Sequence, residues 1–170
     1  MKPVTDEQIR ASFANCTKGE ARRLNLPRGL AHLAWEDLDF LGWRDPGAPD
    51  RAYLVAERPD RPDGLIGITL RATTGIRRSL LRSNLCSICI TSHSGSGVAL
   101  LAARRAGLAG REGSTVGTYI CADLACSLYV RGKKRSQLAE RVTESLTLEE
   151  QILRTQVNLD AFIDQVLQEG

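Results

Sequence analysis

Cys86-Ser87-Ile88-Cys89 and, after 31 intervening residues, Cys121-Ala122-Asp123-Leu124-Ala125-Cys126 decide how this chain folds. The first is a C-x2-C and the second a C-x4-C. Four soft thiolates in two close pairs are the ligand set of a structural zinc ion, which takes tetrahedral sulfur ligation and keeps no open position. Each pair makes a tight turn around the metal, and the ion closes a loop that is otherwise entropically costly. Such a site supplies roughly 10–16 kcal/mol of apparent binding free energy, more than the net stability of most domains. Residues 86–126 are therefore expected to fold only with the metal present. A lone C-x-x-C also reads as a redox dithiol. The second pair argues against that reading, and against four unrelated buried thiols. His93, four residues after Cys89, is the other candidate ligand, although four cysteines already complete the shell. His32 has no partner at ligand spacing and reads as structural.

Outward from the cysteines, residues 98–105 and 116–120 read as two strands around a glycine-rich turn at Gly107, Gly110 and Gly113. Residues 124–130 read as a helix stopped at Gly132. A knuckle before a hairpin, with the last ligands where a strand gives way to a helix, is the treble-clef arrangement. Further back, residues 52–56 and 65–70 read as partner strands of a hairpin joined by a longer turn. Residues 27–50 carry loop chemistry, ending in Asp45-Pro46-Gly47-Ala48-Pro49-Asp50. Within them Trp35, Leu38, Phe40, Leu41 and Trp43 form an apolar cluster expected to cover the core. Thr5 and Gln8 have capping-box spacing at the start of a helix over 6–15, whose apolar positions are Ile9, Phe13 and Cys16. Cys16 then reads as a small core residue. A second short helix is expected over 18–24. Thr147 and Glu150 form another capping box, and Leu148, Ile152, Leu159, Phe162, Ile163, Val166 and Leu167 place an apolar stripe on a long helix of 148–168. The fold class is thus α+β: N-terminal helices, antiparallel hairpins and a four-cysteine treble-clef zinc finger, closed by a long C-terminal helix. The domain reading is an N-terminal helical and loop region over 1–50 and a zinc-binding domain over 51–170.

The 170 residues are 42% hydrophobic and 25% charged, ordinary for a soluble globular chain. No stretch approaches the roughly 18–20 apolar residues of a membrane span. The N-terminus shows acid where a secretory signal needs an apolar run, so the expected location is the cytoplasm. Five cysteines, an odd count, fit a disulfide framework poorly there. The net charge of +3 conceals a segregation: residues 71–141 hold twelve basic and three acidic side chains, while residues 142–170 hold one basic and six acidic. A basic segment attracts an anionic partner, either nucleic acid or an acidic protein surface. No phosphate loop and no nucleophile-elbow motif occurs, and Gly95-Ser96-Gly97 completes no dinucleotide fingerprint. With two histidines and a closed metal shell, the inventory for acid–base catalysis is thin, and the chain is not expected to be an enzyme.

The two cysteine pairs, their flanks Thr118-Tyr119-Ile120 and Ser127-Leu128-Tyr129-Val130, and the closing helix resemble the zinc-binding treble-clef domain of the elongation factor G-binding proteins, the FusB-type fusidic-acid-resistance proteins and their FBP-domain relatives. The likeness runs over about 50–168. It implies four zinc ligands, Cys86, Cys89, Cys121 and Cys126, and a domain that docks on elongation factor G and alters its release from the ribosome. The region before the zinc motif is too short for a large helical bundle, so a housekeeping role at the translating ribosome is the safer extension than drug resistance. Charge and proximity to the zinc module, not the family, point to Arg104, Arg105, Tyr129, Arg131, Lys133, Lys134 and Arg135 as partner contacts, with Arg77, Arg78 and Arg82 as a second patch. The alternative is a zinc protein that contacts ribosomal RNA, for which stacking aromatics are few: Tyr119 and Tyr129. The chain is expected to act as a monomer.

Overall fold

Three capping boxes and a run of period-two apolar strands set the local structure of the protein. The computed structural model describes residues 1–73, 83–136 and 144–168. Thr5 caps α1 (Asp6–Ala11) and Thr17 caps α2 (Lys18–Arg22), and in each case the cap's own amide donates to the side chain of Gln8 or Glu20. Strands β1 (Phe40–Asp45), β2 (Ala48–Glu57) and β3 (Leu65–Ala72) follow. Next come β4 (Ser83–Leu85), β5 (Ser92–Ser94), β6 (Val98–Arg104), α3 (Gly107–Arg111), β7 (Thr115–Cys121), α4 (Cys126–Val130) and α5 (Leu148–Leu167).

Five strands make one antiparallel sheet in the order β1-β2-β3-β6-β7, while β4 and β5 pair separately. Alternation along β2 sends Ala52, Leu54 and Ala56 to one face and Tyr53 and Val55 to the other. The first face meets Ile88, the four cysteines and the stripe Leu159, Phe162, Ile163 and Val166 of α5. The second meets Ile9, Leu24 and Trp35 of the N-terminal segment. Two of the contacts that anchor α5 come from arginines. Arg58 reaches Asp160 and Asp164 at 3.5 and 2.9 Å. Arg105 Nη1 donates to the Gln165 carbonyl at 2.5 Å.

Among the described residues β3 and β6 pair at Arg71–Ala102 and Ala72–Leu101, with the Thr73 amide donating to the Leu100 carbonyl, and separate toward Thr69. Asn15 fills the fork: its amide donates to the carbonyls of Thr69 (3.0 Å) and Arg104 (2.9 Å), and its Oδ1 accepts the Thr69 amide (2.8 Å). This explains why the first helix stops at Ala11 rather than 15. Ser12 and Ala14 exchange backbone bonds with Gly67, so tertiary pairing overrides the helical periodicity. Cys16 consequently lies beyond the helix and is partly exposed, not a core residue.

The segment 27–50 also departs from its loop reading, because it contains β1 and the start of β2. Its apolar cluster does pack inward: Phe40 joins the first core, and Trp35, Leu41 and Trp43 the second. The glycine-rich turn holds α3 between β6 and β7. Arg77, Arg78 and Arg82 lie outside the described residues. Among the described residues no helix is long and apolar enough to cross a membrane.

Candidate metal centre and its surroundings

β4 and β5 form the two arms of a knuckle whose tip is Cys86–Cys89. The Cys86 amide donates to the Thr91 carbonyl, the Ile90 amide to the Cys86 carbonyl (both 3.0 Å), and the Cys89 amide to Cys86 Sγ (3.4 Å). The Ser87 amide ties the knuckle to β7 through the Tyr119 carbonyl. Asn158 of α5 clamps it from the other side by donating to the Ile88 carbonyl at 3.0 Å. Cys121 is the last residue of β7 and Cys126 the first of α4. Each loop turns on a non-glycine residue in the left-handed region, Ile90 and Leu124, both at φ 60°. Such strain costs about 1–3 kcal/mol apiece and persists where the surroundings over-determine it.

The four sulfurs are buried and all lie within 4.8 Å of one another. Cys86 and Cys126 Sγ are 3.7 Å apart, and Cys89 and Cys121 Sγ 3.5 Å. A tetrahedral ion with metal–sulfur bonds of about 2.3 Å requires sulfur–sulfur edges of about 3.8 Å, so the donor set fits. The separations far exceed a disulfide, and all four cysteines are free. Their electrostatics also call for a cation. Hydrogen bonds with Cys121, Cys126 and Cys89 hold the Cys86 thiol far below its ordinary range. Burial, then contact with the other sulfurs, pushes Cys126 far above it. At Cys121 the bond with Cys126 lowers the thiol, but those with Cys86 and Cys89, together with burial, prevail and raise it. Four buried sulfurs this close together cannot all carry negative charge without a countercharge. Cys16 stands apart, its thiol pushed up to about 11 by burial and by Glu20.

The sequence matches the FBP C-terminal treble-clef zinc-finger family over residues 8–166. The chain belongs to that family. The family match thus begins well before residue 50, taking in the second half of α1 and the segment that fills the β3–β6 fork. The solved structure of the fusidic acid resistance protein FusC shares the fold, with a TM-score of 0.60 at 19% identity. That similarity covers 96% of this FBP-type chain and 59% of the FusC chain. No curated protein matches the sequence.

The side chains singled out for partner contact fall into two groups. Arg104 and Arg105 lie at the end of the β6–β7 hairpin remote from Cys121, about 20 Å along the strands. Arg104 is exposed, whereas Arg105 is occupied with α5. Tyr129, Arg131, Lys133, Lys134 and Arg135 gather beside the metal loop, and acids there hold most of them. Arg131 makes a two-pronged pair with Asp39 at 2.7 and 2.9 Å, the carboxylate buried and the guanidinium partly exposed. Lys133 meets Asp37 at 2.5 Å, and Lys134 meets Asp123 at 2.7 Å. Asp123 also accepts the Tyr129 hydroxyl at 2.9 Å. Burial followed by that bond raises the phenol. Arg135 is exposed and forms no ion pair among the described residues.

Sequence reasoning passed over Thr91, whose Oγ1 is 3.2 Å from Cys89 Sγ. It took His93 only as a spare ligand, whereas the imidazole is buried outside the sulfur shell with Nε2 3.3 Å from Cys121 Sγ. Position just after the knuckle is the one signal that marks both. Nothing local marks Asp37, Asp39 or Asn158, which arrive from distant parts of the chain.

Proposed function

We propose that this protein is a non-enzymatic zinc-binding module that binds translation elongation factor G and influences its interaction with the ribosome. Membership of the FBP treble-clef family carries the reading. The resemblance seen at the two cysteine pairs supplies the partner, and the fold shared with FusC is in keeping with it. Four cysteines at tetrahedral separations support zinc as the occupant, held by Cys86, Cys89, Cys121 and Cys126. Filled by four protein sulfurs, such an ion has no position left for substrate, so its work is architectural. It fixes the knuckle, the end of β7 and α4 as one surface. Around that surface Lys133, Lys134 and Arg135 remain substantially exposed and are placed to meet an acidic partner.

The test is retention of the metal-loaded protein on purified elongation factor G and, separately, on naked ribosomal RNA, across a salt series. Retention by the factor that weakens with salt supports the proposal. Capture by RNA alone overturns it in favour of an RNA-contacting zinc protein.

A further inference from the structure

Four thiolates around one divalent ion leave two uncompensated negative charges in a buried site. Such charge has to be shared with hydrogen-bond donors in the surrounding shell. One is at hand on the knuckle, the Cys89 amide at 3.4 Å from Cys86 Sγ, and the Thr91 hydroxyl, which accepts from the Cys89 thiol at 3.2 Å here, can turn to donate once that thiol is ionised. For Cys121 the candidate is an imidazole. His93 on β5 is 4% exposed, and its Nε2 lies 3.3 Å from Cys121 Sγ.

The ring is locked in this direction. Tyr129 packs against it edge-on, with centroids 4.6 Å apart at 89°. On the other side Gly97 leaves no room: a Cβ there would sit 2.5 Å from His93 Cβ and 3.0 Å from Nδ1. Among the described residues, the group of ligand atoms within 4.8 Å of one another comprises the four sulfurs and no histidine nitrogen. The imidazole therefore addresses a sulfur, not the centre of the shell.

We propose that His93 is a positioning residue of the metal centre, donating its Nε2–H to the Cys121 thiolate and so tempering the charge and nucleophilicity of that sulfur. The inference rests on the metal reading above. A thiolate that shares its charge with a donor is a poorer nucleophile, and loss of an outer-shell partner costs about 10–100-fold in metal affinity.

The experiment compares wild type, His93→Leu and His93→Gln, all metal-loaded. It measures zinc affinity by chelator competition, zinc release on alkylation with iodoacetamide, and the thiolate-to-metal charge-transfer band after cobalt substitution. His93→Leu is expected to lose about 10–100-fold in affinity, to release zinc several-fold faster, and to shift the band to lower energy. His93→Gln, which keeps an N–H at the Nε2 position, is expected to restore most of all three. Wild-type values in His93→Leu overturn the inference. So does a three-sulfur, one-nitrogen cobalt spectrum in wild type, which makes His93 a ligand. Should His93→Leu fail to fold, NMR of the wild type loaded with an NMR-active cadmium isotope decides. A scalar coupling from the Nε2 proton to the metal through sulfur supports the bond, and an Nε2 without a proton refutes it. A wild type that takes up no metal sinks the metal reading itself, a separate result.

Discussion

Arg131 offers the sharpest contrast between a docking residue and a structural one. Its guanidinium grips Asp39, whose side chain is 2% exposed against 13% for Arg131. The same carboxylate accepts Gln156 Nε2 at 3.2 Å, and the Asp39 amide donates to Ser127 Oγ at 2.9 Å. One acid thereby joins the entry to β1 with α4 and α5. Replacing Arg131 by Met leaves that carboxylate buried with only the Gln156 amide as side-chain donor, at a cost of about 3–5 kcal/mol. For a domain of this size each kcal/mol moves the midpoint by about 2–4 °C, so the expected fall in Tm is roughly 6–20 °C. Asp39→Leu strands the guanidinium and should also destabilise. The double variant removes both charges and is expected to lie close to wild type, because an apolar pair of similar volume replaces a buried ion pair at little net cost. The assay is denaturant unfolding of the zinc-saturated proteins, read as a double-mutant cycle. Single losses below about 1 kcal/mol that simply add in the double variant mark an ordinary surface pair and refute the reasoning.

Other outcomes follow from the same geometry. Charge reversal at Lys133 and Lys134, 54% and 46% exposed, should cost about 1 kcal/mol or less per site yet weaken retention on elongation factor G. Unchanged retention at low salt counts against that patch. Cys121→Ser, or stripping the metal with a chelator, should disorder residues 86–126 and abolish the main thermal transition. A metal-free protein with its full transition contradicts the structural role. Gly42→Ala puts a Cβ 2.6 Å from Leu124 Cβ and 2.9 Å from Phe40 Cε2. Overpacking of this kind costs about 1–3 kcal/mol, measurable by denaturant unfolding. Burial alone would raise the Asp45 carboxyl, but bonds from Asn25, the Gly47 amide, Tyr53 and the Ala48 amide outweigh it and hold the group below its ordinary range. Its contribution is thus complete above the unfolded carboxyl value and is lost as pH falls through the lower folded value. Asp45→Asn should be less stable than wild type at pH 7 and lose less on acidification, a difference readable from Tm against pH.

The parts of the fold legible in the sequence are those whose signals are local. β7 shows alternation, β2, β3 and β6 are apolar runs next to turn residues, α5 shows its stripe and capping box, and the cysteines announce their own meeting. β1 is hidden because Gly42 interrupts it and Pro46, Gly47 and Pro49 follow it, so its stretch reads as loop although Phe40 goes to one core and Leu41 and Trp43 to the other. The knuckle strands, three residues each, are too short to carry a period. At the candidate site the metal shell was readable and its surroundings were not. Arg131, Lys133 and Lys134 look like a free basic run until the fold brings Asp39, Asp37 and Asp123 to them, two of the three from more than ninety residues away. The second patch at Arg77, Arg78 and Arg82 lies outside the described residues.

The fork between β3 and β6 makes the sheet a joined object. On either side of it the strands connect over short sequence distances, whereas among the described residues the join holds two paired positions, the bonds of Thr73 to the Leu100 carbonyl and one asparagine amide supplied from near the start of the chain. The contacts at the join are distant in sequence, so the seam is expected to form after the hairpins on either side of it. Backbone amides at Thr69 and Thr73, the two threonines beside it, should then exchange with solvent sooner than those in the middle of β2, long before the chain as a whole comes apart.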